Sequence, residues 1–276
     1  MKLAYLREFW DDYCIKAEVT IDPILNPSML YAGESGSGKS TAVKYNLFTL
    51  LESEMHEDRK VDVWFMNYKD SNDFKFLKKS NYPRYFCGQE CDRGFEKFYE
   101  YYGDLRANKG EDIDHMTIMI FDEYPAFILK TQMDDRKRAE MYMKNLGEIL
   151  MTGRSYKVGC WITSQRPDAA YFANGAREQF HVRIMLTRGV PSKESLIMMG
   201  FVKEDFHEEM YRAGEGIAFI DGKGLYEIKY PKYSSESIDL SLIHIYQPGL
   251  FEFCSGQPGC DSDKGGPDRD IIDMYR

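Results

Sequence analysis

The chain has 276 residues, a formal net charge of −9 and 43% hydrophobic residues, enough for one large α/β domain with appendages and a substantial core. The acidic balance argues against a general nucleic-acid adsorber, although a DNA motor can still carry local basic loops. Six scattered cysteines lack metal spacing (Cys87 and Cys91, like Cys254 and Cys260, are too far apart for C-x-x-C), Met1 to Asp12 has no apolar secretory core, and no run of about 18 apolar residues is present, so a cytoplasmic protein with free thiols and no membrane span is the expectation.

Residues 1–27 mix aromatics, charges and prolines and read as a lead-in on the domain edge, with Leu6, Phe9 and Trp10 as anchors and a turn over 22–27. Ser28 to Ala32 reads as a short buried strand and Thr41 to Leu51 as a helix. Between them, Gly33-Glu34-Ser35-Gly36-Ser37-Gly38-Lys39-Ser40 fits G-x-x-x-x-G-K-[ST]. The glycines permit a tight turn whose N–H groups face inward as an anion cradle, and the helix start adds partial positive charge. The pattern predicts ATP on Gly33 to Ser40, with Lys39 at the β- and γ-phosphates and the Ser40 hydroxyl on Mg²⁺. Thr41 is an adjacent hydroxyl just outside the pattern.

Lys60 to Asn67 reads as a second strand, ending in Tyr68-Lys69-Asp70. Ligand groups gather at the carboxyl ends of parallel strands, so Lys69 and Asp70 either stand near the nucleotide or form an ordinary solvated loop. In Gly94 to Leu105, Phe95, Phe98, Tyr99 and Tyr102 fall on one helix face. That stripe can pack on a sheet or stack nucleic-acid bases, and helical spacing favours packing.

Thr117-Ile118-Met119-Ile120-Phe121-Asp122-Glu123 is an apolar run into two carboxylates, as suits a central parallel strand. Downstream of a P-loop it reads as a Walker B strand. Asp122 is predicted to hold hydrated Mg²⁺, and Glu123 to polarise the attacking water. Asp134 to Met151 reads as a helix with Met143, Leu146, Ile149 and Leu150 buried; its Arg136-Lys137-Arg138 run is either a solvated face or a contact to a DNA backbone. Gly153 to Gly159 leads into a strand, Cys160 to Thr163, that ends at Ser164-Gln165-Arg166-Pro167. Gln165, able to donate and accept, is the candidate sensor of the γ-phosphate, or else merely caps the strand. Pro167 takes the chain out of the sheet. His181 to Leu186 reads as a further strand, 191–199 as a helix, and 216–229 as a closing hairpin. The Gly/Pro/Asp/Ser-rich segment from about 247 reads as flexible, with a short anchor at Ile271-Ile272.

Taken together, these residues resemble the FtsK/SpoIIIE-type DNA-pumping ATPases of the FtsK-HerA superfamily, in particular the coupling-protein-like ATPases of Gram-positive conjugative elements. The resemblance is carried by residues 33–40, Ile120-Phe121-Asp122-Glu123-Tyr124, Gly153-Arg154-Ser155, Thr163 to Asp168, Gly175 to Phe180 and Ala213-Gly214-Glu215-Gly216. It spans most of residues 29–229, and the Gln-Arg-Pro box is its most specific part. It implies an α/β, RecA-like P-loop NTPase over 28–235 with a mostly parallel sheet flanked by helices, a lead-in over 1–27 and an extension over 236–276. It implies ATP and Mg²⁺ as cofactors, DNA as partner, a homo-hexameric ring with ATP between subunits, and a membrane-anchored or relaxase partner protein. Such rings use an arginine in trans; Arg154 is the first candidate and Arg177 the second, each with a structural salt bridge as the alternative. The chain departs from the family in lacking N-terminal membrane helices and the DNA-orienting winged-helix domain, so it is either a soluble motor module or anchored by another polypeptide. The function implied is ATP-driven DNA translocation in transfer of a mobile element. The alternatives are a HerA-type helicase or packaging ATPase and a nucleotide-gated scaffold that does not move DNA. A small-molecule kinase fits poorly beside the Gln-Arg-Pro box.

Overall fold

The computed structural model describes residues 1–108, 113–201, 210–233 and 239. In chain order they form β1 (Lys2–Leu6), α1 (Arg7–Tyr13), β2 (Glu18–Thr20), β3 (Met29–Ala32), α2 (Lys39–His56), β4 (Lys60–Asn67), α3 (Lys75–Lys79), β5 (Tyr85–Cys87), α4 (Cys91–Ala107), β6 (His115–Asp122), α5 (Tyr124–Asp134), α6 (Arg136–Thr152), β7 (Val158–Ser164), β8 (Val182–Leu186), α7 (Lys193–Met198), β9 (Glu215–Ile220) and β10 (Gly224–Lys229).

All of these strands join one sheet in the order β2-β1-β10-β9-β8-β3-β7-β6-β4-β5. From β8 to β5 the pairing is parallel, and from β8 outward through β9, β10, β1 and β2 it is antiparallel. The fold is thus α/β with a mostly parallel core and an antiparallel wing. The hairpin β9–β10 does not close the sheet. Residues 2–20 pair beyond it, and Leu3 and Ala4 are fully buried there. Phe9 is exposed, while the Trp10 ring meets Tyr5 edge-on.

The central parallel strands are largely apolar because both faces are covered, with exceptions such as Lys60 and Asp62 at the start of β4 and Arg183 in β8. Alternate side chains go to opposite sides. Met29, Tyr31, Ile118, Ile120 and Trp161 join Val43, Leu47 and Leu50 of α2. Leu30, Met119, Phe121, Cys160 and Ile162 join Phe95, Phe98 and Tyr102 of α4, Phe127 of α5 and Leu146 of α6. The aromatic stripe of α4 is therefore core: Phe95, Phe98 and Tyr102 are fully buried, and the Tyr99 hydroxyl donates to Glu148 at 2.6 Å. At the start of α6, Arg136 and Lys137 are exposed and Arg138 is half-buried. Arg136 pairs with Glu140, and Arg138 with Asp92 and Glu96.

Gly159 shows how tightly β7 is held. A Cβ there would lie 2.1 Å from the Pro27 carbonyl oxygen, the residue whose carbonyl also accepts from the Trp161 indole. Gly159→Ala must push two backbones apart, and we expect it to lower unfolding free energy by about 2–4 kcal/mol in urea denaturation. Gly103→Ala, on the exposed side of α4 with nothing within 4 Å, should instead be neutral or stabilising by up to about 1 kcal/mol.

Of residues 236–276 only Asp239 is described; its carboxylate pairs with the buried Lys44 of α2 at 2.6 Å. The Ile271-Ile272 anchor lies outside the described residues. Among the described residues no helix is long and apolar enough to cross a membrane.

Candidate active site

The carboxyl ends of β3, β7 and β6 lie side by side, and the chemistry-bearing residues gather there. β3 runs straight into the loop 33–38, and α2 begins at Lys39. Gly36 and Gly38 take φ of 75° and 104°, values open to glycine at little cost. At Gly33 the reason is space: a Cβ would stand 2.0 Å from the Leu186 carbonyl. The loop is braced from outside. Ser37 O accepts from Gly214 N–H at 2.8 Å. The Glu34 carboxylate accepts from Arg188 N–H at 2.7 Å, and the Arg188 guanidinium donates to Ser35 O at 3.2 Å.

Lys39 is nearly buried, and its ammonium donates to the Gly33 and Glu34 carbonyls at 2.6 and 3.1 Å. Burial pulls its pKa down, opposed by the charges of Glu123 and Asp122. The P-loop lysine and the two carboxylates are thus close enough to influence one another electrostatically. Ser40 is half-buried at the first turn of α2, and Thr41 is exposed.

The acidic strand is not the immediate neighbour of the P-loop strand. β7 lies between them, and it carries a residue that sequence reasoning did not single out as a site residue. The Thr163 hydroxyl donates to Asp122 Oδ1 at 2.7 Å and accepts from the Glu123 N–H at 2.8 Å. One fully buried hydroxyl thus fixes both acids. Burial raises the Asp122 carboxyl to about 6, and Glu123 adds to the rise; the Thr163 hydrogen bond and Lys39 oppose it. Glu123 sits in the left-handed region at φ 59°, ψ 44°, a conformation that costs a non-glycine residue about 1 kcal/mol or more. The kink ends β6, starts α5, and turns the Glu123 side chain out of the strand direction. Its Oε2 meets Lys69 Nζ at 3.2 Å. The segment after β4 therefore does reach the acids, through Lys69.

The donor set fits a hard, hydrated cation. Ser40 Oγ and the Asp122 carboxylate are the oxygen donors that would hold it, and a desolvated carboxylate gains from a nearby cation. Among the described residues no cluster of three or more His, Cys, Asp or Glu could form a protein-only metal cage. This suits Mg²⁺, which keeps waters and shares a substrate's phosphates. The buried Ser37 hydroxyl within the loop lacks a hydrogen-bond partner.

The other candidates separate by position. Gln165, exposed at the end of β7, lines a cavity of about 240 Å³ with Gly33, Glu34 and α7 residues, so it stands at the P-loop mouth. Arg154 precedes β7 and is exposed at the opposite end of the sheet. Burial, and then the Arg154 charge, hold the nearby His181 imidazole below its ordinary value. The seven residues of β7 put roughly 20 Å between that end and the P-loop end. Arg154 thus lies too far away to serve the site of its own chain. Arg177 donates to the Pro167 carbonyl at 3.1 Å and braces the Gln165-Arg166-Pro167 turn.

No protein-family model matches the chain. The FtsK domain-containing protein YdcQ of Bacillus subtilis (strain 168) is 28% identical over 215 residues, which cover 74% of this chain and 43% of that protein. The chain resembles the FtsK-type ATPases. It spans less than half the length of this curated relative. Among solved structures, the pCW3 conjugation coupling protein TcpA, in a monomer form with ATPγS, superposes with a TM-score of 0.64 at 22% identity, over 86% of this chain and 73% of that one. VirB4 of Thermoanaerobacter pseudethanolicus gives 0.52 at 11% identity, over 86% and 97%. These likenesses show the P-loop ATPase fold of the FtsK-like chain.

Proposed function

We propose that this FtsK-like chain binds Mg·ATP on residues 33–41, hydrolyses it with Asp122 and Glu123, and uses the turnover to move DNA during transfer of a mobile element. The observation that carries the hydrolytic half is the Thr163 bridge. It ties the Asp122 carboxylate and the Glu123 backbone to β7, the strand between the acids and the P-loop strand, which supports a metal ligand and a base placed next to one another. In this scheme the loop amides and Lys39 hold the phosphates, and Ser40 and Asp122 hold Mg²⁺, which neutralises charge developing on the phosphoryl oxygens. Glu123 takes the proton from the attacking water, and Gln165 responds to the γ-phosphate.

The DNA half is supported by the names of the relatives, a conjugation coupling protein and an FtsK-domain protein. In a homo-hexamer Arg154, far from the P-loop of its own chain, is the first candidate to reach a neighbour's phosphates. The test is ATPase rate with and without DNA, alongside mass in solution with ATP and Mg²⁺. DNA should raise turnover several-fold, and the mass should approach six chains. A DNA-independent rate with normal ATP affinity would favour the nucleotide-gated scaffold instead.

A further inference from the structure

The ammonium that meets Glu123 is placed by a built turn. β4 and β6 run in parallel with Asn67 opposite Asp122, so the residues after each strand pass one another. Asn67 is fully buried; its amide donates to Ser71 O at 3.2 Å and to the Tyr85 hydroxyl at 2.9 Å, and its oxygen accepts from Ser71 N–H at 3.2 Å. Asp70 takes φ 48° and donates its N–H to Asn67 O at 3.2 Å. This turn delivers Lys69 to the Glu123 carboxylate. The Glu123 side chain is 11% exposed and that of Lys69 42%, so the pair is anchored on the acid side and free to open on the lysine side.

A carboxylate held on an ammonium has an oxygen occupied and is a poor acceptor for a water proton, because accepting one leaves the ammonium unpaired. We propose that Lys69 is a positioning residue that latches Glu123 in a resting arrangement, and that the Lys69–Glu123 pair must open in each turnover before Glu123 can meet the water. The proposal rests on the hydrolytic role of Glu123 given above. Closed and open arrangements are then two populated states, and removing the lysine charge shifts the balance to the open one.

The test has two arms. In the first, a zero-length carbodiimide is applied to the full chain and peptides are read by mass spectrometry. A Lys69–Glu123 amide should form and be lost in Glu123→Gln. A protein that cross-links at other ion pairs and never there overturns the latch, whatever its activity. In the second arm, DNA-free ATP turnover and ATPγS affinity are measured for wild type, Lys69→Met and Lys69→Arg. Lys69→Met should raise kcat about two- to fivefold, the population change that breaking a half-exposed ion pair produces. Its ATPγS affinity should be unchanged, and Lys69→Arg, which restores the cation, should return to the low rate. A slower Lys69→Met with intact affinity would make the lysine an activator. A weakened ATPγS affinity would make it a phosphate ligand, and an unchanged rate would make the pair inert. Each of these three overturns the latch and leaves the ATPase reading standing. A wild type that never hydrolyses ATP would end that reading, and the latch with it, even if the cross-link forms.

Discussion

Glu123→Gln will bind ATP as tightly as the wild type and turn it over at least about a hundred times more slowly. The amide keeps the shape of the carboxylate and can still approach Lys69, but it cannot accept a proton from water. The hydrogen bonds that place the proposed phosphate-binding groups do not involve this side chain: Lys39 is placed by the Gly33 and Glu34 carbonyls, and the loop by Gly214 and Arg188. The backbone is not disturbed either, since the left-handed kink is fixed by the Glu123 N–H bond to Thr163 and by the Glu123 carbonyl, which accepts from Ala126 N–H at 3.0 Å. ATPγS titration beside a phosphate-release assay separates binding from turnover. Near-wild-type turnover by this variant would remove Glu123 from the base role.

Thr163→Val is the second large effect, and it acts without touching substrate. Valine has the same shape but cannot bridge. Asp122 Oδ1 loses its donor, and the Glu123 N–H, buried at the strand end, loses its acceptor. Leaving buried polar groups unpaired costs about 1–3 kcal/mol each, so the variant should unfold at lower urea. Both acids also lose their common tether, and residues that orient a metal ligand typically matter by about 10- to 100-fold in affinity or activity. We expect turnover to fall in that range, with Mg²⁺ needed at higher concentration. Thr163→Ser keeps the hydroxyl and should recover most of both losses. If Thr163→Val lost stability alone, with its Mg²⁺ dependence unmoved, the bridge would be structural only.

The parts of this site that were legible in sequence are local ones. The P-loop is eight consecutive residues whose chemistry needs contiguous amides and one helix start. The acidic strand announces itself by an apolar run that stops at two carboxylates. Thr163 gave no such signal, because its partners Asp122 and Glu123 are 41 and 40 positions away and meet it only when β7 inserts between β3 and β6. Lys69 stood open between a site residue and a solvated loop, since only the parallel register of β4 against β6 brings it to Glu123. Helix α5 was missed for a different reason: Tyr124, Phe127, Ile128 and Thr131 do stand at helical spacing, but Pro125 sits in its first turn, directly after the acids, where a proline reads as a break. The two outer strands of the antiparallel wing, β1 and β2, were hidden by their length, with β2 only three residues long. The aromatic stripe of α4 and the hairpin β9–β10 followed their periodicities.

The central claim is that Lys39, Ser40 and Asp122 converge on one magnesium-bound triphosphate. The most direct measurement is ATPγS affinity with and without Mg²⁺, for the wild type and for Asp122→Asn, which keeps an oxygen for the Thr163 hydroxyl. The wild type should bind ATPγS markedly more tightly with Mg²⁺, and Asp122→Asn should lose about tenfold or more of that gain while keeping its metal-free affinity. Equal tightening by Mg²⁺ in both proteins, or no ATPγS binding by the wild type, would contradict the claim.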